Sequence, residues 1–163
     1  MTLWILWRIV KLLYLVNKIL KRKEIEMEIE VGKEIKFAAA HRLIHHKGAC
    51  HNLHGHNYKI IVYMTESVKK VEKKKSFMVK DYKEIKDKVG KWISEFWDHA
   101  LIINTDDREL AKFARSQGYK LCEIVGEPTA ENMCLYLLKH FPELSTVTVF
   151  ETDSSQATSV RRN

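Results

Sequence analysis

Two segments with the alternation of a β-strand flank a stretch that holds six of the chain's eight histidines. In residues 28–40 isoleucine, valine and phenylalanine alternate with polar residues, a pattern typical of a strand or a bent hairpin. Residues 57–66, NYKIIVYMTE, form a second predicted strand. We expect the histidine-rich stretch, residues 41–56, to connect two strands that face each other.

The spacing of the histidines indicates a metal site. His54 and His56 are two residues apart at the start of the second strand, so both side chains point to one face. His41 ends the first strand, where antiparallel pairing can bring it opposite them. Three neutral imidazoles with an open fourth position are typical of catalytic zinc. The alternative is a solvated histidine-rich loop, and the placement of His41 favours the metal. The remaining histidines of the stretch are predicted loop residues: His45, His46 and His51.

Four further residues could perform chemistry beside such a metal. Cys50 precedes His54 by four residues, and a thiol near a cation has a lowered pKa that suits a base or nucleophile. The alternative is an exposed loop cysteine. Asp98 and His99 follow a predicted helix, and a carboxylate can orient a neighbouring imidazole for proton transfer. Glu151 continues the apolar face of a predicted strand, either in water at the strand end or as a buried acceptor for a ligand with N–H donors.

The rest of the chain alternates between helices and strands. Asp81 can cap a helix that ends near Trp97. Thr129 can cap a second helix that ends near Phe141. Further strands are predicted over residues 119–125, 145–152 and 157–161. This order indicates one domain with an α+β fold, in which two helices cover one face of an antiparallel sheet.

Charge and cysteine usage argue against several classes of protein. The net charge is +7, but the lysine cluster at residues 69–75 lacks arginine and interleaved aromatic residues, so nucleic-acid binding is not expected. Three cysteines without a CxxC pair argue against a secreted disulfide framework. We therefore expect a cytoplasmic protein with at least one free thiol.

Residues 1–26 differ from the rest in composition. Segment 3–20 has fourteen apolar residues in eighteen, but basic residues interrupt it, and neither a membrane span nor a cleaved signal peptide fits. We expect an N-terminal amphipathic extension with three alternatives open. It lies on an anionic membrane surface, packs on the protein body, or is not native, with Met27 as the alternative start. Residues 27–163 then form the folded domain.

Six segments, in this order, resemble one known family: FAAAHRL, CHNLHGHNY, MVKDYKEIK, WDHALIIN, PTAEN and VFETDSSQA. The family is that of the 6-pyruvoyltetrahydropterin and 6-carboxytetrahydropterin synthases, and the resemblance covers about residues 27–160. It implies a T-fold, in which small antiparallel sheets of several subunits join into a barrel with active sites between subunits. A homohexamer is the expected assembly.

The resemblance also implies a role for each chemical group of the metal site. Three positions match the family's zinc ligands: His41, His54 and His56. Cys50 matches the catalytic thiol that accepts a proton, and His99 with Asp98 would complete a proton relay. The zinc ion would acidify hydroxyl groups of the substrate side chain, as a Lewis acid does for bound water.

A reduced pterin is the substrate that the resemblance implies, namely 7,8-dihydroneopterin triphosphate. Glu151 would anchor the pterin ring by accepting hydrogen bonds from its N–H groups, with help from Thr129 and Glu131. The positive charge of the chain would suit the three phosphates.

The branch of the family is indicated by the spacing CxxxHGH. It resembles the synthases that make 6-carboxytetrahydropterin, acetaldehyde and triphosphate for 7-deazaguanine (preQ0) synthesis. The alternative within the family is a 6-pyruvoyltetrahydropterin synthase, which eliminates triphosphate from the same substrate. A folate-related branch is disfavoured because no glutamate lies between His41 and His56. An alternative of another class is a non-catalytic metal-binding or membrane-peripheral module. Such a module would not need the further residues that could perform chemistry, namely Cys50, Asp98, His99 and Glu151.

Overall fold

The computed structural model describes residues 4, 7, 8, 10–12 and 27–162. Two long strands dominate it, β1 (Glu28–His41) and β2 (His54–Ser67). They pair antiparallel over their whole length, with His41 opposite His54 at one end. The predicted pairing across the histidine-rich stretch is confirmed, and that stretch contains one short 3₁₀ turn (Ala49–His51).

The remaining elements follow in chain order. They are α1 (Val68–Glu72), α2 (Tyr82–Ile85), a π-helical turn (Lys86–Gly90), α3 (Lys91–Phe96), β3 (Ala100–Asn104), α4 (Arg108–Ser116), β4 (Leu121–Ile124), α5 (Ala130–His140), β5 (Thr146–Phe150) and β6 (Gln156–Val160). Both predicted caps are confirmed, because the Asp81 and Thr129 side chains accept hydrogen bonds from backbone N–H groups of α2 and α5. The first residues of the lysine cluster are helical, in α1, rather than part of a loop.

The six strands form one sheet in the order β4-β3-β1-β2-β5-β6. The prediction of an α+β fold is confirmed, but the sheet is mixed rather than wholly antiparallel. Strand β3 pairs with β1 in parallel, and β4 pairs with β3 in parallel. Helix α4 connects β3 to β4, and such a crossover returns the chain in the same direction, which a short hairpin turn cannot do.

The main core lies between one face of the sheet and the helices α2, α3 and α5. Tyr58 and Ile60 of β2 pack there with Trp97 and with Met133 of α5, all nearly inaccessible to solvent. The two predicted helices therefore cover one face, as expected. Helix α4, which the sequence analysis did not predict, packs through its buried residues on Ile103 in a second cluster. Since Ile102 belongs to the main core, alternation along β3 places α4 on the opposite face.

The predicted N-terminal extension lies largely outside the described residues. Those described are helical and exposed, and the Arg8 guanidinium lies 4.2 Å from the ring centroid of Trp4. Lys11 is placed in the same way over Trp7, at 4.7 Å. Within the described ranges, no helix has the length and apolar character needed to cross a membrane.

Candidate active site

The paired ends of β1 and β2 bring three imidazoles together. His41 lies opposite His54 in the strand register, and His56, two residues along β2, points to the same face. His41 is only 1% exposed. The ligand atoms of the three side chains all lie within 4.8 Å of one another. The predicted histidines therefore form a group that could hold a metal ion.

Hydrogen bonds to carbonyl groups determine which ring nitrogens of this group are free. His41 Nδ1 lies 2.8 Å from the carbonyl oxygen of Pro128, and His54 Nδ1 lies 2.8 Å from that of Asn52. Because a carbonyl only accepts, each Nδ1 carries a hydrogen, and a neutral ring then presents its lone pair at Nε2. Burial lowers the pKa of His41, although the Pro128 carbonyl opposes this effect, and so favours the neutral ring.

The Nε2 atoms converge, and two neutral rings have no ring hydrogen between them. His41 Nε2 and His54 Nε2 are 3.2 Å apart. Buried His56 Nε2 has no hydrogen-bond partner within the part of the chain that the structure describes. Facing lone pairs repel, and a buried unpartnered nitrogen costs free energy. A cation among the three removes both penalties, so these residues fit a metal that imidazole binds, such as zinc.

A carboxylate and a phenol lie beside the three imidazoles. Glu151, just after β5, places Oε1 3.4 Å from His41 Nε2 and 3.8 Å from His56 Nε2. The Tyr58 hydroxyl lies 3.3 Å from His41 Nε2. Burial raises the pKa of Tyr58, and the nearby Glu151 and Cys50 raise it further, so this hydroxyl stays protonated. The carboxylate thus borders the three imidazoles.

Cys50 sits in the 3₁₀ turn between the two ligand strands. Its side chain is half-buried and forms no disulfide. Its carbonyl oxygen accepts a hydrogen bond from the N–H of Leu43, 2.9 Å away, which closes the loop on itself. The charge that Cys50 carries as a thiolate is one of the causes that raise the pKa of the Tyr58 hydroxyl.

Asp98 and His99 lie on the other side of β1, just before β3. The Ala38 N–H donates to Asp98 Oδ1 at 3.0 Å, and His99 Nδ1 lies 3.0 Å from the same oxygen. Partial burial raises the pKa of the Asp98 carboxyl, but the Ala38 N–H and His99 outweigh it and lower that pKa overall. The His99 side chain is 81% exposed. The structure forms the predicted pair, at the edge of β1 that lies opposite to β2, and His56 and His99 both line the cleft there.

The pair borders an open cleft. This cleft has a volume of about 620 Å³ and is lined by His99, Tyr119 and Lys120 together with backbone-rich parts of β1 and β2 that include Gly55. His99 has a φ of 57°, in the left-handed region that costs a non-glycine residue free energy. Its N–H donates to the Ala38 carbonyl at 2.6 Å, which holds this conformation.

Thr129 and Glu131 lie at the start of α5, next to Pro128. The Thr129 hydroxyl accepts a hydrogen bond from the Asn132 N–H, 3.3 Å away, and so serves as the helix cap. Glu131 is exposed in the first turn of the helix. The Pro128 carbonyl that holds His41 connects this helix end to the imidazoles.

Several contacts that fix the site were not predicted from the sequence. Arg42 forms a two-pronged ion pair with buried Asp107, at 2.6 and 2.7 Å. The hydrogen bond from Arg42 lowers the pKa of Asp107 despite burial. The Glu127 carboxylate binds the loop at Ile44 and His45. No local pattern signals these pairs because their members are 65 to 83 residues apart. The contact between the Pro128 carbonyl and His41 could not be predicted either, because every residue carries a backbone carbonyl.

The predicted loop histidines lie away from the metal position. His45 pairs with Glu127, and His46 Nδ1 accepts a hydrogen bond from the Gly48 N–H at 2.9 Å. His51 is exposed at the end of the 3₁₀ turn. Their assignment to the loop is confirmed.

Known proteins with similar sequences belong to the pterin synthases. A family model described as 6-pyruvoyl tetrahydropterin synthase matches residues 30–162. A Rickettsia conorii protein named 6-carboxy-5,6,7,8-tetrahydropterin synthase is 37% identical over 118 residues, covering 71% of this chain and 83% of that protein. A Haemophilus influenzae protein of the same name is 35% identical over 134 residues, covering 77% of this chain and 94% of that protein.

Solved structures have the same fold. An uncharacterised Wolinella succinogenes protein matches with a TM-score of 0.70 and 22% identity, covering 83% of this chain and 99% of that chain. The Caenorhabditis elegans 6-pyruvoyl tetrahydropterin synthase matches with a TM-score of 0.59 and 24% identity, covering 84% and 98%. These likenesses confirm the T-fold. With the match of sequence over most of its length, the chain belongs to the 6-pyruvoyl tetrahydropterin synthase family.

Proposed function

We propose that this chain is a zinc-dependent 6-carboxy-5,6,7,8-tetrahydropterin synthase, with its catalytic domain in residues 27–163. It converts 7,8-dihydroneopterin triphosphate to 6-carboxytetrahydropterin, acetaldehyde and triphosphate, for 7-deazaguanine synthesis. The observation that carries the proposal is the convergence of His41, His54 and His56 beside the Glu151 carboxylate. The names of relatives at 35 to 38% identity support the choice of reaction.

The three imidazoles hold the metal and leave room for substrate. Their Nδ1 hydrogen bonds, to Pro128 for His41 and to Asn52 for His54, orient the rings before the metal binds. A bound zinc ion supplies Lewis acidity, which makes hydroxyl groups of the substrate side chain easier to deprotonate. The protonated Tyr58 hydroxyl remains a hydrogen-bond donor at this place.

Proton transfer falls to Cys50 and to the pair of Asp98 and His99. Cys50 lies on the loop that joins the two ligand strands, so in its thiolate form it can accept a proton from a substrate held at the imidazoles and become a thiol. Asp98 fixes the His99 ring for a second transfer. Because the exposed His99 lies across β1 from the ligands, it acts on the active site of a neighbouring subunit. This arrangement requires a homo-oligomer, and we propose a hexamer.

Carboxylates hold the pterin. Glu151 accepts hydrogen bonds from N–H groups of the ring, and its position 3.4 Å from His41 Nε2 requires the bound ring to lie against the imidazoles. Glu131, exposed in the first turn of α5, accepts from N–H groups farther along the ring. Thr129 sets the direction of that turn by capping the helix.

Product analysis tests the proposal. The full-length protein, loaded with zinc, is incubated with 7,8-dihydroneopterin triphosphate, and the products are identified by mass spectrometry. We expect 6-carboxytetrahydropterin and acetaldehyde, and neither from a Cys50→Ala control that retains its zinc. Pyruvoyltetrahydropterin would instead assign the chain to the other branch of the family. Unchanged substrate with a folded, zinc-loaded oligomer would contradict both and favour a non-catalytic metal-binding module.

A further inference from the structure

The loop that carries Cys50 has little regular structure to hold it. Between β1 and β2 only the 3₁₀ turn at Ala49–His51 is regular. Two backbone hydrogen bonds inside the loop involve Leu43, whose N–H donates to the Cys50 carbonyl and whose carbonyl accepts from His46. The position of the thiol therefore depends on whatever fixes the backbone next to Leu43.

One carboxylate from a distant part of the chain binds the backbone there. Glu127 Oε2 accepts the N–H of Ile44 at 3.1 Å, and Glu127 Oε1 accepts the N–H of His45 at 3.0 Å. The same Oε1 contacts the His45 ring. Hydrogen bonds to a charged acceptor are about twice as strong as neutral ones. Both oxygens are engaged by the two residues that directly follow Leu43.

Glu127 is itself held in place. The Asn132 side-chain amide donates to the carbonyl oxygens of Glu127 and Val125, at 3.0 and 2.8 Å. The next residue, Pro128, is buried and directs its carbonyl to His41 Nδ1. One short segment thus fixes a metal ligand through its backbone and the cysteine loop through a side chain.

We propose that Glu127 is a positioning residue that sets the Cys50 thiol relative to the three imidazoles. It acts through the loop backbone and does not touch the substrate. Its consequence for turnover rests on the function proposed above, whereas its hold on the loop does not. The chain thereby couples the metal ligand His41 and the thiol to the same rigid helix start.

The reactivity of Cys50 in the zinc-loaded, full-length protein tests the proposal without substrate. Iodoacetamide alkylation is followed at each cysteine by peptide mass spectrometry in wild type, Glu127→Gln and Glu127→Ala. Glutamine keeps one acceptor oxygen, so the Gln variant should retain part of the constraint. The matched control is Glu95→Gln, which removes the same charge from an exposed position on α3.

We expect Cys50 in Glu127→Ala to be alkylated faster, on the order of tenfold, because loss of such hydrogen bonds shifts a loop-opening equilibrium by about that factor. The Gln variant should be intermediate. Cys122, Cys134 and the zinc content should stay as in wild type. A Cys50 rate that is unchanged or slower in both variants overturns the proposal, as does equal acceleration at all three cysteines.

Turnover gives an independent readout of positioning. We expect kcat of Glu127→Gln to fall about tenfold with KM nearly unchanged, because a displaced thiol affects proton transfer rather than substrate binding. A rise in KM alone would assign Glu127 to substrate binding and contradict the proposed role. If wild type fails to convert the pterin triphosphate, the proposed function fails while the alkylation rates still decide whether Glu127 holds the loop.

Discussion

The histidines on the two sides of β1 differ in their exposure and in how they are held. On the β2 side, His41 is 1% exposed, and its ring hydrogen is bound by a carbonyl of the same chain. On the β3 side, His99 is 81% exposed in the side chain and has a left-handed backbone conformation. The three imidazoles that could hold a metal thus come together within one chain. The Asp98 and His99 pair is formed by one chain, and its imidazole faces outward.

This difference leads to different expectations for metal binding and for proton transfer. Metal binding should depend only on contacts inside a subunit, because every fixed ligand orientation is set there. Proton transfer by His99 should depend on the oligomer, because its exposed ring is placed to meet a substrate held by a neighbouring subunit. Strain at an exposed residue is often retained where function requires a particular side-chain direction.

The largest effect is expected from loss of a metal ligand. In His54→Ala, bound zinc should fall to background. This loss exceeds the roughly 10–100-fold decrease in metal affinity that follows mutation of residues hydrogen-bonded to a ligand. His51→Ala, an exposed histidine of the same loop, is the matched control and should bind as wild type. Metal content after dialysis, measured by elemental mass spectrometry with circular dichroism as a fold check, distinguishes the variants. Unchanged zinc in His54→Ala would remove this residue from the metal site.

The intersubunit arrangement predicts complementation between inactive variants. Cys50→Ala and His99→Ala should each lower turnover by about 10²–10⁴-fold, as loss of a general acid or base does. Co-expressed at equal levels with different tags, they should regain activity at about a quarter of the sites, since each site draws its two halves independently. Oligomers made from either variant alone are the control. Failure of the mixed oligomers to recover would place both residues in the site of a single subunit.

A smaller effect is expected from loss of the ion pair between Arg42, which follows His41, and Asp107. Asp107→Asn should lower the free energy of unfolding by about 2–3 kcal/mol at pH 7, because the buried acceptor of Arg42 loses its charge. The folded-state pKa of Asp107 lies below its unfolded value. Its stabilisation is therefore present above about pH 4 and is lost as the pH falls through the folded-state pKa.

Urea unfolding at pH 7 and pH 3.5 measures this contribution. The difference between wild type and Asp107→Asn should shrink at the lower pH. Asp106→Asn, which neutralises the exposed neighbour, should leave stability within about 0.5 kcal/mol of wild type. A difference that is constant with pH would show that the charge of Asp107 is not the source of this stability.

The convergence of the three imidazoles could be predicted from sequence because it follows local geometry. A two-residue spacing on a strand puts His54 and His56 on one face, and pairing of the flanking strands adds His41. The two caps, at Asp81 and Thr129, were predictable for the same reason. Helix α4 and strand β3 were not predicted, and the predicted strand over residues 119–125 is parallel rather than antiparallel. Strand direction depends on the crossover connection and leaves no mark in the residue alternation.

By itself the sequence determined the α+β class, the two capped helices, the convergence of the three imidazoles and the presence of the Glu151 carboxylate beside them. Only the tertiary structure decided how these groups are held and which of them meet. Pro128 reaches His41 across 87 residues, and Glu127 reaches Ile44 across 83. The physical reason is that such contacts use backbone carbonyl and N–H groups, which every residue carries, so their partners are chosen by the fold rather than by residue identity.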